Sequence, residues 1–427
     1  MNSIDTDENS SNILYISYND LNEPVSKSQV VPYIGEFVNK GFNVSLLTFE
    51  KSFSKGHLED QKHEINSKGI DWHALRYHKT PSLLATAYDV IQGFFLSFRL
   101  IKKNKIQIVH ARMVVPATIC ALLRKVLKFK WIYDMRGLVA EEYVGHGSWR
   151  HNGIKYKVVK IMEKQCLLSA TSITVLTHRQ KEFISNLDFM KDIPTPIDVI
   201  PCCADLDIFK AKLFDDNLLQ DTLEPYFDKF VLAYVGSIGS CYLLPEMLDF
   251  FLSLKKKVAN AHFLFLTHSN PDLVIDTAIE KGLDDSSFTV MPSEYDKIPE
   301  WLSVCDAGIY FINSYMKLGS CPIKFAEYLS CGLPVVLNPG IGDTDTIVNT
   351  NNIGVVVKSL DQGEYDCSVD KLLTLVNNDS ELNSRCYSVA NDEFSLIKGS
   401  QKYMSIYNSL GLNPDANVKM AHLYKNK

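Results

Sequence analysis

Short apolar runs alternate with amphipathic helical stretches along almost the whole 427-residue chain. That alternation restricts it to an α/β fold built on mostly parallel sheets. Parallel strands are covered on both faces, so they read as continuous apolar runs rather than as alternating ones. In the first half the candidate strands are Ile13–Tyr18, Val44–Phe49, Ile106–Ala111, Lys130–Asp134 and Ser172–Leu176. In the second half they are Phe230–Val235, His262–Thr267, Ser287–Met291, Ala307–Phe311, Pro334–Leu337 and Ile353–Val357. A chain of this length exceeds one ordinary core, and the two sets of strands imply two domains. The polar, acidic stretch 1–12 reads as a frayed leader rather than a signal peptide. Domains are expected over 13–204 and 205–390, with a linker beginning near Ile200–Phe209 and running through a polar stretch to about Asp228. A last helix is expected over 391–410 and a flexible tail over 411–427.

The stretch from Cys321 to Val336 combines a short helix with an immediately following buried strand. Ser320 or Cys321 is placed as N-cap, Pro322 at the first helical position and Gly332 just past the end. Lys324 and Glu327 are three apart and share a face. A cation in the first turn opposes the helix macrodipole, which is poor for stability but good for holding an anion. A carboxylate one turn deeper can accept two hydroxyl hydrogen bonds, as a ribose would offer. Together they read as a nucleotide diphosphate site. The competing reading is an exposed ion pair worth a few tenths of a kcal/mol, i.e. about 0.2–0.5.

Charge is unevenly distributed. Residues 1–212 carry 28 Lys+Arg against 22 Asp+Glu, and the remainder carry 16 against 28. Between Arg99 and Lys164 there are 15 basic and 4 acidic residues, which suggests an anionic partner. No RNP, zinc-finger or helix-turn-helix signature accompanies this block, so nucleic acid fits least well, behind an anionic membrane surface or a phosphate-bearing acceptor. The ten cysteines form no CxxC pair and read as buried thiols of a reducing, cytoplasmic compartment. No run approaches 18 uninterrupted apolar residues. One helix, Ser82–Lys105, is nonetheless rich in apolar residues, with Leu83, Leu84, Val90, Ile91, Phe94, Phe95 and Phe98 before Lys102 and Lys103. Packing against a sheet accounts for most of these residues. An aromatic edge beside lysines also suits a membrane interface.

In order along the chain, Ile13–Glu36, Ile108–Pro116, Trp131–Glu142, Val199–Phe209, Tyr234–Phe250 and Lys317–Asp345 resemble the retaining glycosyltransferases of family 4 with the GT-B fold. The resemblance samples residues 12–360 and is most specific over 317–336. It implies two Rossmann-like domains facing a cleft, with the last helix crossing back to the N-terminal domain. The activity it implies is transfer of a sugar from a nucleotide-diphosphate sugar, with UDP or GDP the expected nucleotide, to a glycan or lipid-linked acceptor. Capsule, lipopolysaccharide or exopolysaccharide assembly at the cytoplasmic face of the inner membrane is the expected setting. No cofactor and no metal are expected, because enzymes of this fold generally work without one. The triplets Asp5/Asp7, Asp205/Asp207 and Asp343/Asp345 have sufficient explanations in the leader, the linker and a helix N-cap.

By that resemblance Lys324, Glu327 and Arg136 are the expected catalytic residues. The donor side comprises Gly236, Ser237, Gly239, Ser240, Ser320, Cys321, Lys324 and Glu327. The acceptor side comprises Ser26, Ser28, His110, Arg112 and Arg136. Two departures stand out. Relatives usually carry two glutamates eight apart; Glu327 matches the second, but Gly319 replaces the first. Relatives also place Arg and Lys after the first strand of the second domain, where this chain has no basic residue in 236–242. Charge neutralisation then falls on Lys324 and on backbone N–H groups of 236–240 and 320–324. An arginine at 136 cannot act as a base at neutral pH, and His110 reads equally well as a satisfied core histidine. A non-catalytic nucleotide-sugar-binding or scaffold protein, or a nucleotide-sugar epimerase, remains an alternative.

Overall fold

The structure, a computed structural model, describes residues 11–209, 222–239, 241–313, 315, 318–412 and 414. The chain divides into two units, Met1–Pro201 with Leu396–Lys427, and Cys202–Ser395.

The first unit holds seven parallel strands: β1 (Asn12–Ser17), β2 (Asn43–Glu50), β3 (Asp71–Arg76), β4 (Ile108–Arg112), β5 (Lys130–Met135), β6 (Ser172–Val175) and β7 (Ile197–Val199), in the order β3-β2-β1-β4-β5-β6-β7. The order reverses between β1 and β4, the doubly wound arrangement expected of a Rossmann-like sheet. All five strands expected from the sequence are present. The two it misses, β3 and β7, are the outermost strands. An edge strand needs less apolar cover: β3 buries only Trp72 completely, and β7 has three half-buried residues. Asn12, expected in the leader, already belongs to β1, and residues 1–10 lie outside the described residues.

The second unit holds six parallel strands: β8 (Phe230–Val235), β9 (Ala261–Leu266), β10 (Phe288–Met291), β11 (Ala307–Tyr310), β12 (Val335–Leu337) and β13 (Gly354–Val356). Their order is β10-β9-β8-β11-β12-β13, the same winding with its reversal between β8 and β11. All six strands expected here are present. Ala204, expected in the first domain, lies in the second unit: its N–H donates to the Phe394 carbonyl at 2.8 Å, and Phe394 packs edge-on against Phe325. Phe209, in the expected linker, is fully buried against Tyr295. The polar stretch at 210–221 lies outside the described residues.

The last helix differs from expectation at both ends. Asn391 closes a separate helix, Leu382–Glu393, and the helix belonging to the first unit is Leu396–Ser409. Residues 411 and 412 are not a loose tail. Gly411 turns with φ +88°, the Leu412 N–H donates to the Tyr407 carbonyl at 3.0 Å, and Leu412 is buried. Beyond that, 413 and 415–427 lie outside the described residues.

Tyr403 and Tyr407, one turn apart, seat this helix on its own unit. Their rings meet Tyr33, Phe37 and Phe42 edge-on. Beneath them the strand register sets Arg112, Asp134 and Thr174 side by side across β4, β5 and β6. Asp134 therefore collects donors. Its Oδ1 accepts from Thr174 Oγ1 (2.9 Å) and Tyr403 Oη (3.0 Å), and its Oδ2 accepts from Arg136 Nε (2.9 Å) and Arg112 Nη1 (3.3 Å). Burial opposes ionisation, but Arg136, His110 and Arg112 outweigh it and hold the carboxyl well below the usual carboxylate range. Removing one partner of a buried charge network costs about 3–5 kcal/mol. Asp134→Ala should lower stability by that order in urea unfolding, whereas Tyr403→Phe should cost about 1–3 kcal/mol. Because the folded carboxyl is depressed, its contribution is complete above the unfolded value near 3.8 and disappears only as pH falls below it. A wild-type stability unchanged by Asp134→Ala would contradict the network.

Candidate functional site

In a doubly wound sheet, ligands bind outside the carboxyl ends of the strands where the order reverses. In the second unit that point is flanked by the turn after β8 and by the helix Ile323–Ser330, which follows β11. The helix is fixed by Tyr328. Its ring lies over Gly308 of β11, where a Cβ would come within 2.4 Å of it. Its hydroxyl accepts from the Val235 N–H at 2.8 Å and donates to the Ala233 carbonyl at 3.3 Å, so it continues the pairing of β8 where β11 stops. The N-cap is Pro322, one residue later than expected, and no side chain caps the helix. Gly332 follows the end with φ +79°, as expected.

Anchoring at Tyr328 places Lys324 and Glu327, one turn and one residue earlier, inside the unit. Lys324 is 4% exposed, so the exposed ion-pair reading fails. Its ammonium lies 3.6 Å from the ring centroid of Tyr242 and 4.1 Å from that of Tyr234 and makes no hydrogen bond among the described residues. Burial pulls its pKa down from 10.5 to about 7, against the opposing influence of Glu327 and Cys241. Glu327 is equally buried. Burial pushes its carboxyl up to about 7, while a hydrogen bond with the Tyr295 phenol and the charge of Lys324 act the other way. Aromatic faces stabilise a cation by about 0.5–2 kcal/mol. That does not replace the hydrogen bonds an ammonium has in water, so the charged form is left short of partners among the described residues.

Gly236 turns with φ +109°, and a Cβ there would stand 3.3 Å from Lys324 Nζ. A side chain at 236 would crowd the ammonium. Its N–H donates to the Leu266 carbonyl and that of Ile238 to Ser269 Oγ, both at 2.9 Å. Those two amides, expected to face phosphate, are therefore already engaged. Ser237 is exposed, Gly239 turns with φ +92°, and Ser240 lies outside the described residues. Cys321 Sγ accepts from the Cys202 N–H at 3.3 Å, and Ser320 is half-buried beside it. Asp205 and Asp345 accept the backbone amides of Asp207 and Gly340, each at 2.9 Å. The walls formed by Tyr234 and Tyr242, and the Tyr295 partner of Glu327, escaped the sequence reading. An aromatic at the carboxyl end of the first strand of the unit and a second just after its glycine turn are the signal that could have found the walls.

The expected acceptor-side residues belong to the first unit. Arg112 and Arg136 are ligands of Asp134, and Arg136 Nη2 also donates to Tyr403 Oη at 2.7 Å. His110 Nδ1 and Tyr407 Oη share a hydrogen bond at 2.7 Å, while burial holds the histidine's pKa down and the imidazole neutral. These three come together as the support of the C-terminal helix. Ser26 and Ser28 are buried in a short helix, Pro24–Gln29, and Ser28 Oγ donates to the Pro24 carbonyl at 2.8 Å.

Residues 307–374, from β11 onward and including Lys324 and Glu327, match the glucosyltransferase 3-like C-terminal domain family. The capsular polysaccharide biosynthesis glycosyltransferase CapM of Staphylococcus aureus is 23% identical over 250 residues, which are 58% of this chain and 61% of CapM. Among solved structures, a glycosyltransferase from Rickettsia africae superposes with a TM-score of 0.69 at 16% identity, over 94% of this chain and 99% of that one. Anabaena HepE in complex with UDP-glucose does so with a TM-score of 0.67 at 13% identity, over 93% and 99%. The two sheets and their order thus belong to a chain of the GT-B glycosyltransferase fold, in which residues 307–374 match a glucosyltransferase 3-like C-terminal domain.

Proposed function

We propose that this chain is a retaining glycosyltransferase that takes a sugar from a nucleotide-diphosphate sugar and delivers it to a glycan or lipid-linked acceptor in cell-envelope polysaccharide synthesis. The observation that carries the reading is the buried Lys324 ammonium, boxed by Tyr234 and Tyr242 and without a hydrogen bond among the described residues, with Glu327 one turn on. A diphosphate would supply the missing acceptors and raise the lysine back toward its ordinary pKa, keeping it cationic. Glu327, recharged beside that cation, would accept the ribose hydroxyls. The reaction breaks the bond from the anomeric carbon to the phosphate oxygen and forms one to the acceptor oxygen on the same face. The leaving phosphate takes the acceptor's proton. Lys324 acts on the negative charge that grows on that phosphate. The known complex of HepE with UDP-glucose and the capsular role of CapM support the donor class and the pathway class. Metal independence is part of the proposal, with Lys324 as the charge that a metal would otherwise supply.

A thermal-shift panel of UDP, GDP, ADP and CMP tests the donor site. A true nucleotide at 100 times its dissociation constant should stabilise by about 2.7 kcal/mol. Transfer is then followed with labelled nucleotide-sugars and a lipid-linked acceptor, with and without a chelator. Nucleotide binding without transfer across a broad panel would favour a non-catalytic binding protein instead.

Lys324→Ala should lower kcat by about 10²–10³, the usual loss for one preorganised donor. Turnover at the wild-type rate in that variant would remove Lys324 from the mechanism.

Lys324→Met separates function from stability. With a folded pKa of about 7 against 10.5, the folded state holds fewer protons across that window, so wild-type stability rises as pH climbs from 7 to 10.5. The methionine variant should lack that rise, melt higher at pH 7 by the equivalent of about 1–3 kcal/mol, and lose the nucleotide-induced shift. A lower melting temperature at pH 7 would show that the buried cation is not strained.

A further inference from the structure

Helix Ser82–Lys103 leaves a stripe of its apolar residues outside the unit. Toward the first unit it buries Ala85, Asp89, Gly93 and Ser97 along with Val90, Leu100 and Ile101. Gly93 lies so close to the next helix, Val114–Leu123, that a Cβ would meet Ile119 Cδ1 at 2.5 Å. Val90, Leu100 and Ile101 are buried and Phe94 and Phe98 half-buried, but part of the apolar surface faces outward. Leu84, Tyr88, Ile91 and Phe95, spaced as one helical stripe, are all exposed, Leu84 at 70% and Phe95 at 66%. Sheet packing, the expected explanation of these side chains, therefore does not account for them. On the other side of Val114–Leu123 lies the helix Ile154–Ser169. It carries a second outward stripe, with Ile154 at 78% and Ile161 at 63% exposed, continued by Val158 and Leu168. Leu122 and Val126 are exposed between the two.

Along residues 99–164 the exposed charge is of one sign. Within 99–164 the four acidic residues are all buried or half-buried. Asp134 is held in its network, Glu141 and Glu163 both pair with Lys160, and Glu142 accepts the Leu138 N–H. Lys102, Lys103, Arg124, Lys125, Lys157 and Lys164 are exposed. Apolar stripes flanked by exposed cations match an interface with acyl chains below and anionic headgroups around. The 22-residue helix is long and apolar enough to cross a membrane, but its inner face is already packed within the unit.

We propose that the layer formed by helices Ser82–Lys103, Val114–Leu123 and Ile154–Ser169 lies on an anionic lipid bilayer, inserting the two stripes into the interface without spanning it. This does not depend on the nucleotide reading. Co-sedimentation of the full chain with phosphatidylcholine vesicles, with and without phosphatidylglycerol, tests it. The wild type should bind the anionic vesicles, lose binding as salt rises, and bind neutral vesicles only weakly. Phe95→Ser with Ile161→Ser, and separately Lys125→Glu with Lys157→Glu, should each weaken binding by at least about tenfold. Melting curves and the nucleotide-induced shift should stay as in the wild type. Failure of the wild type to bind, equal binding to both vesicle types, or undiminished binding by the serine pair would overturn the proposal. So would a solution dimer that the serine pair dissociates while vesicles go unbound, since the occupant would then be a second copy of the chain.

Discussion

Each unit buries a charge at the carboxyl edge of its sheet, and what surrounds that charge decides what the unit does. In the first unit Asp134 is surrounded by two guanidiniums, a threonine and a tyrosine, so its ionised form is fully satisfied. The result is a structural joint that ties the helix Leu396–Ser409 to the strands. In the second unit Lys324 has two aromatic faces and no acceptor among the described residues. Desolvating a charge costs several kcal/mol unless partners replace the water (about 3–5 when one partner is removed). The complete set of partners yields stability, and the incomplete set is what the proposed diphosphate would complete.

That contrast separates the two halves of the sequence reading. The helix that carries Lys324 and Glu327 was legible because a helix stop signal, a three-residue spacing and a following buried strand are local patterns, and local patterns survive in one dimension. Arg112, His110 and Arg136 sit equally well for binding in the sequence. Their occupation depends on Tyr403 and Tyr407, some 270 to 300 residues later. A pairing across that separation leaves no periodicity to read. The same limit hid Tyr295, which reaches Glu327 from a short helical turn after β10.

The strands show which physical signals carry. Interior parallel strands were found because both of their faces must be apolar. In the first sheet the outermost pair, β3 and β7, escaped, while β10 and β13 at the edges of the second did not: an edge lowers the apolar requirement without removing it. Helix Ser82–Lys103 failed for the opposite reason. Its apolar residues were counted correctly, but composition gives no direction, and close approach through Gly93 and Ser97 turned part of the apolar surface outward. Small residues on one helix face were the available sign that a neighbour, rather than a sheet, would set its orientation.

The interlock of Gly308 with Tyr328 carries a historical consequence. The ring fills the space a side chain at 308 would need, and the hydroxyl completes the hydrogen bonding of β8. The two positions are coupled unequally: a Cβ at 308 has nowhere to go while the ring is present, whereas loss of the ring costs the partner of the Val235 amide. Any lineage that abandons this arrangement must shrink residue 328 before it enlarges residue 308. The helix that holds Lys324 is thereby kept in register by an order of substitution as much as by an energy.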